Sequence, residues 1–183
     1  MSCQGRSAAV RPLAADENRP LRDNRTGCKS YGFENQEAAS SIASAQVEEL
    51  RARARLWGVS SGACEVHEAD FLASPLVGRA LAQADVVLVN NYVFSPATNE
   101  SLSLLFLDLK DGAKIVSLKP FVHVSGGTEI NARNVYSPQS ILVQDKPYVY
   151  TKGSVSWSDR DGTFYIATVN RDRLKRYLEK MGH

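Results

Sequence analysis

The stretch DVVLVNNYVFSP, residues 85–96, joins a run of apolar β-forming residues to a turn rich in amides and aromatic rings. Its first half, DVVLVN at 85–90, predicts a strand buried on both faces, as in a parallel sheet. Strand and helix patterns alternate around it, with strands predicted at 28–34, 63–67 and 113–118 and helices at 37–57, 72–82 and 98–107. This alternation predicts an α/β fold with a parallel sheet and helices on both faces.

The last part of the chain has a different pattern. Strand-like segments at 141–143, 148–157 and 163–169 are separated by short turns, and a charged amphipathic helix is predicted at 171–180. Short turns between neighbouring strands favour antiparallel pairing. We therefore expect an antiparallel hairpin appended to the parallel sheet.

The composition excludes several classes of protein. The 183 residues fit one domain with a sizeable core, and a formal net charge of +2 does not by itself indicate a nucleic-acid partner. Three irregularly spaced cysteines argue against a disulfide framework and for a reducing compartment. Without CxxC or HxxxH pairs we expect no metal site, and the apolar runs are too short for a membrane span.

Residues 1–27 differ from the rest, being rich in Arg, Asp, Asn and Pro without a clear period. Such a composition predicts a disordered leader, which leaves residues 28–183 as the folded domain. Residues 8–10 are the only strand-like part of the leader, and Pro12 cuts this segment short.

Residues that follow strands are candidates for binding, because open α/β sheets bind ligands beyond the carboxyl ends of their strands. Glu34 follows the first predicted strand and could accept hydrogen bonds from ribose hydroxyls, or it could simply favour a helix start. Asp70 and Phe71 follow the second, where a carboxylate and a ring suit adenine. The alternative for this pair is a helix-capping Asp beside a core Phe.

The turn after the strand at 85–90 is the least ordinary segment. Asn90 could orient a substrate nitrogen, with Phe94 forming part of a channel, whereas the alternative is an Asx turn with packed rings. Trp157, Phe164 and Tyr165 add aromatic surface in the C-terminal hairpin, where such residues are usually core.

Taken together, these segments resemble the disruptor-of-telomeric-silencing (Dot-type) family of histone methyltransferases. The resemblance covers roughly residues 28–180 and rests on CKSYGFE at 28–34, ADFL at 69–72, VVLVNNYVFSP at 86–96, LDLKDGAKIVSLKPF at 107–121, and GSVSW with GTFYIATV within 153–169. It implies a class I, Rossmann-like sheet ending in an antiparallel hairpin. It also implies S-adenosylmethionine as cofactor and transfer of its methyl group to lysine seventy-nine in the core of histone H3 on nucleosomes, in the nucleus.

The resemblance also implies residue roles. Glu34 is expected to bind the ribose, Asp70 and Phe71 to hold the adenine, and Asn90 to lie where cofactor and substrate meet. Phe94 and Trp157 are expected to line the lysine channel, together with the hairpin aromatics Phe164 and Tyr165. Aromatic rings would align the aliphatic stem of lysine and attract the sulfonium and amine cations.

Three departures from the family pattern accompany the resemblance. The glycine-rich loop that usually follows the first strand is absent, as is the helical region before it, and Phe164 stands where the family usually has Tyr. We therefore expect a sheet without its central first strand, since Arg11 and Pro12 disfavour residues 6–14 as a substitute. A truncated or mis-assembled reading of a longer protein, or a degenerate copy, would account for this.

Two alternatives stay open. A non-catalytic relative could still bind chromatin, with Arg133 and the basic C-terminal helix meeting DNA or an acidic histone surface. That helix carries Arg171, Arg173, Lys175 and Arg176, which could equally be a solvated face. A class I enzyme that methylates a different amine is the other alternative, which GSVSW and KPF disfavour.

Overall fold

The computed structural model describes residues 28–59, 62–122, 129–155 and 159–182, together with the backbone of residues 7–11. The chain divides into two compact units, Met1–Leu88 and Val89–His183, with the boundary inside one strand. Among the described residues, no helix is both long and apolar enough to cross a membrane.

The first unit is built on a parallel strand pair joined by a helix. Its elements are β1 (Ser7–Arg11), β2 (Ser30–Glu34), α1 (Glu37–Leu56), β3 (Cys64–Glu68), α2 (Pro75–Gln83) and β4 (Val86–Val89), with strand order β3-β2-β1-β4. β2 and β3 pair in parallel from Ser30↔Cys64 to Glu34↔Glu68, and α1 is the connection between them. The predicted strand–helix–strand alternation is therefore confirmed in this part of the chain.

The ends of the helices follow local chemistry. Helix α1 is followed by Gly58, whose φ of +63° is the left-handed conformation that glycine adopts most easily. Helix α2 starts three residues later than the predicted Leu72. Pro75 occupies the first turn and Ser74 accepts a hydrogen bond from the Leu76 amide at 3.3 Å, which together set the start.

Strand β1 corrects one prediction. Residues 7–11 form a strand antiparallel to β2, with Ser7 opposite Glu34 and Val10 opposite Tyr31, and the strand lies between β2 and β4. The doubt about a central strand here was therefore wrong. Pro12 comes directly after the strand in the sequence, so its missing N–H removes no hydrogen bond from the four residues, Ser7 to Val10, that pair with β2. Residues 1–6 and 12–27 of the predicted leader lie outside the described residues.

The second unit is organised around an antiparallel strand. Its elements are α3 (Pro96–Leu105), β5 (Lys114–Ser117), β6 (Leu142–Gln144), β7 (Tyr148–Tyr150), β8 (Gly162–Val169) and α4 (Asp172–Lys180), with 3-10 turns at Phe106–Asp108 and Pro138–Ser140. β8 pairs antiparallel with β5, β6 and β7. The expected antiparallel end of the fold is confirmed.

Burial along β4 alternates, which corrects a second prediction. Val87 and Val89 are each 1% exposed, whereas Leu88 between them is 53% exposed. Successive side chains of a strand point to opposite faces, so one face of β4 is buried and the other is open at Leu88. The continuous apolar run predicted burial on both faces, because composition alone cannot show which side is covered.

Two glycines of the first unit provide a test of the fold. A Cβ added at Gly62 would collide with the backbone of Cys28, 2.7 Å from its nitrogen, whereas one added at Gly78 of α2 would meet nothing within 4 Å. We expect Gly62→Ala to lower the free energy of unfolding by about 1–3 kcal/mol, the usual effect of overpacking. Gly78→Ala should raise it by about 0.5–1 kcal/mol through helix propensity. Urea denaturation of both variants measures the difference, and equal stability for Gly62→Ala and the parent would contradict the described packing.

Candidate functional site

The carboxyl ends of β2 and β3 bring two predicted site segments together. Glu34 is opposite Glu68 in the parallel register, and the Ala69 amide donates to the Glu34 carbonyl at 2.9 Å. Asp70 follows directly along the chain. Glu34, the last residue of β2, and Asp70, which follows β3, therefore lie at the same edge of the first unit, where an α/β sheet binds its ligands.

The side chain of Glu34 has one local hydrogen bond. Its Oε1 accepts from the Gln36 amide at 3.2 Å, just before α1 begins at Glu37, and the residue is half-buried. A carboxylate offers about four lone-pair positions, so this contact is compatible with further hydroxyl donors. Glu34 can therefore support the start of α1 and still accept hydrogen bonds from a ribose.

Asp70 shapes the turn after β3. Its Oδ1 accepts from the Leu72 amide at 2.9 Å, and its carbonyl accepts from the Ser74 amide at 2.9 Å. Since Ser74 is the N-cap of α2, Asp70 forms an Asx-type turn and does not cap that helix. Phe71 is 1% exposed, as the core-packing alternative predicts, and its contact with adenine stays a prediction.

In the second unit, one buried amide organises the turn after β4. Asn91 is 0% exposed. Its Nδ2 donates to Asn99 Oδ1 at 2.9 Å and to the Lys119 carbonyl at 3.1 Å. Its Oδ1 accepts from the amides of Leu118 and Lys119 at 3.0 and 2.9 Å. All four hydrogen-bonding positions of the amide are therefore used, joining the turn to α3 and to the segment after β5.

This network determines how the rest of the turn is presented. Asn90 is exposed, whereas Phe94 is buried and its amide donates to the Asn91 carbonyl at 3.3 Å. Tyr92 is exposed, with the Lys119 ammonium 5.7 Å from its ring centroid, which is a cation–π distance. The turn thus presents one polar amide, Asn90, and one ring, Tyr92, on a fixed backbone.

Asn91 is the residue that the sequence reasoning missed, because only Asn90 of the two adjacent amides was selected. The alternation of side chains along the strand pointed to this residue. Val87, Val89 and Asn91 share one parity along the chain and are all buried, whereas Leu88 and Asn90 share the other and are exposed. Continuing the alternation past the end of β4 would have identified Asn91 as the inward residue.

The aromatic residues of β8 do not form one group. Phe164 and Tyr165 are consecutive in the strand, so their side chains point to opposite faces. Phe164 stacks on Tyr148 of β7 with ring centroids 5.2 Å apart, and Tyr165 lies opposite Ser117 of β5. The Tyr148 hydroxyl donates to Asp145 at 3.1 Å, and this hydrogen bond with the carboxylate raises the pKa of the tyrosine. Trp157 lies outside the described residues.

The described residues define a mixed α/β protein with acidic residues at one strand edge and a structured amide-rich turn after β4. The family model for "Histone methylation protein DOT1" matches residues 22–169. The chain belongs to this family.

Curated relatives agree with the family model. Proteins named "Histone-lysine N-methyltransferase, H3 lysine-79 specific" are 46% identical over 160 residues in Mycosarcoma maydis, 45% over 157 in Yarrowia lipolytica and 43% over 155 in Aspergillus fumigatus. The matches cover 86%, 86% and 85% of this chain but 20%, 31% and 30% of those relatives. The chain therefore spans less than a third of the length of each.

Replacing Asn91 tests the role of the buried amide. Asn91→Ala leaves the amides of Leu118 and Lys119 without their acceptor, and the free energy of unfolding should fall by about 2–4 kcal/mol. Asn90→Ala, the matched change at the neighbouring exposed amide, should change it by no more than about 0.5 kcal/mol. Chemical denaturation of the two variants gives both values, and similar values would contradict the described hydrogen bonds.

Proposed function

We propose that this chain is part of an S-adenosylmethionine-dependent methyltransferase that modifies lysine 79 of histone H3 within the nucleosome, in the nucleus. The observation that carries the proposal is the turn after β4, where the buried Asn91 presents Asn90 on a fixed backbone in a chain of the DOT1 family. The relatives named as H3 lysine-79 methyltransferases support the choice of substrate.

The proposed fold of the whole domain is the class I methyltransferase sheet. A parallel β2–β3 pair connected by a helix and a final strand that runs antiparallel to its neighbours are both typical of the class I, Rossmann-like methyltransferase sheet. In this class the cofactor lies beyond the carboxyl ends of the strands, the edge at which Glu34 and Asp70 lie.

The chemistry of these two residues fits the adenosine end of the cofactor. Ribose hydroxyls and the adenine amino group are hydrogen-bond donors, and carboxylate oxygens are acceptors that strengthen such bonds by their charge. Glu34 would hold the ribose and Asp70 the adenine, on a backbone fixed by the Ala69–Glu34 hydrogen bond. When bound, S-adenosylmethionine supplies the methyl group on its sulfonium sulfur.

On the substrate side the protein has to orient the lysine amine and favour its neutral form. Free lysine has a pKa of about 10.4 and is mostly protonated at neutral pH, so exclusion of water favours deprotonation. Asn90 would orient the amine for in-line attack at near-contact distance, with Phe94 and Trp157 lining its path. Phe164 and Tyr165 point to opposite faces of β8. They would therefore contribute aromatic surface to the lysine channel from different faces of this strand.

Glu34→Gln tests the cofactor assignment. Losing a charge-assisted hydrogen bond costs about 1.5–3 kcal/mol, so the affinity for S-adenosylmethionine in calorimetry should fall about 10- to 100-fold. Glu37→Gln removes the same charge from the exposed first turn of α1 and should leave the affinity unchanged. Equal affinities of the two variants for S-adenosylmethionine would show that Glu34 does not bind the cofactor. No heat from a folded parent chain would favour the competing interpretation, a non-catalytic relative that binds chromatin.

Asn90→Ala tests the active centre. Methyl transfer to recombinant nucleosomes should be abolished, because the amine loses its orienting group, while circular dichroism stays at the parent value. A free H3 peptide should be a poor substrate for the parent, since the proposed target lies in the folded histone core. Parent-level activity of Asn90→Ala would show that the active centre is elsewhere.

A further inference from the structure

The side chain of Asn91 is held from two sides, and one of them is helix α3. Its Nδ2 donates to Asn99 Oδ1 at 2.9 Å, and its other hydrogen bonds go to the backbone of Leu118 and Lys119. A backbone partner is present whatever side chain the residue carries. Within the described part of the chain, Asn99 is therefore the one partner of Asn91 whose identity decides whether a hydrogen bond forms.

Asn99 is itself fixed at the start of α3. Its backbone amide donates to the Ser95 carbonyl at 3.0 Å, and its side-chain Nδ2 donates to the same carbonyl at 3.3 Å. Ser95 is the N-cap of α3, and its Oγ accepts from the Thr98 amide at 3.1 Å. The side chain of Asn99 thus donates through Nδ2 and accepts through Oδ1, a combination that an amide supplies and a carboxylate does not.

The position of Asn90 depends on this contact. Asn90 is exposed and lies between Val89, the last residue of β4, and the buried Asn91, so the backbone of the turn sets the direction of its amide. Without Oδ1 of Asn99, one Nδ2 proton of Asn91 has no acceptor. A buried donor without a partner is unfavourable, so Asn91 shifts with its backbone towards another acceptor. The displacement reaches Asn90 through a single peptide bond.

Asn99 also lies where this network meets solvent. It lines an open groove of about 350 Å³, together with Pro120 and Phe121 of the segment after β5. It is half-buried, whereas Asn91 is 0% exposed. Shortening Asn99 therefore enlarges a groove that is already open and leaves no closed cavity in the core. A variant at this position can lose the contact with Asn91 and keep the fold.

We propose that Asn99 is a positioning residue for methyl transfer: it holds the amide of Asn91, which fixes the backbone that presents Asn90 to the lysine amine. Asn99 itself contacts neither substrate nor cofactor. Its effect on the rate rests on the proposed function, because attack on the methyl group tolerates little displacement, and a shift of about 1 Å lowers a rate by about 100-fold. The hydrogen bond to Asn91 is independent of any activity.

Two variants of Asn99 separate positioning from packing. Asn99→Ala removes the acceptor for Asn91, whereas Asn99→Asp keeps an acceptor oxygen and loses the bond to the Ser95 carbonyl. With recombinant nucleosomes, kcat should fall about 10- to 100-fold in Asn99→Ala at unchanged KM, and should stay near the parent value in Asn99→Asp. Glu100→Ala, the matched change at the next, exposed residue of α3, should leave kcat and KM unchanged.

Amide signals in heteronuclear NMR spectra give a readout that needs no activity. In Asn99→Ala, the backbone amides of Leu118 and Lys119 and the side-chain amides of Asn90 and Asn91 should shift and exchange faster with solvent. In Asn99→Asp these signals should return towards the parent positions. Unchanged Asn90 and Asn91 signals in Asn99→Ala would overturn the proposal, whether or not the chain transfers methyl groups.

Two further outcomes would contradict the positioning role. An equal loss of kcat in Asn99→Ala and Asn99→Asp would place the effect in the bond to the Ser95 carbonyl. An Asn99→Ala chain that is unfolded by circular dichroism would show that the residue serves stability alone. If the parent chain transfers no methyl group, the proposed function fails, while the NMR comparison still decides whether Asn99 holds Asn91 and Asn90.

Discussion

The fully hydrogen-bonded amide of Asn91 is the interaction on which the candidate site in the second unit depends. A polar group with no exposed surface is tolerated only when its donors and acceptors are satisfied, and here both protons and both lone pairs have partners. The partners belong to α3 and to the segment after β5. One side chain therefore joins the turn and the helix that follows it to a segment 27–28 residues further along the chain.

In the first unit, backbone pairing positions the proposed binding residues. Parallel register places the ends of β2 and β3 side by side, and the Ala69–Glu34 hydrogen bond extends this pairing into the turn that carries Asp70. Side-chain bonds of Glu34 and Asp70 to nearby amides then shape the turn locally. Each unit thus supports its proposed binding residues with hydrogen bonds that need no ligand.

Local patterns predicted much of this fold because their information is local. The period of α1 acts within a few residues, and the structure has this helix. The antiparallel pairing of β7 with β8 is also present, but the strand predicted at 148–157 ends at Tyr150, and residues 151–161 separate it from β8. Strand β1 and the open face of β4 depend on which segments are neighbours in the folded sheet. Composition carries no information about these neighbours. The same limit applies to α4, where only tertiary contacts show that Arg171 and Lys175 lie beside Asp111.

The pair Asn90-Asn91 shows why the site itself could be predicted only in part. Consecutive residues at a strand end face opposite ways, so one residue cannot both fill an inward hydrogen-bonding position and present a polar group outward. A turn that must do both therefore needs two adjacent polar residues, with separate roles. Sequence reasoning could find the pair and its place after a buried strand. The division of roles became visible only when burial showed Asn91 inside and Asn90 outside.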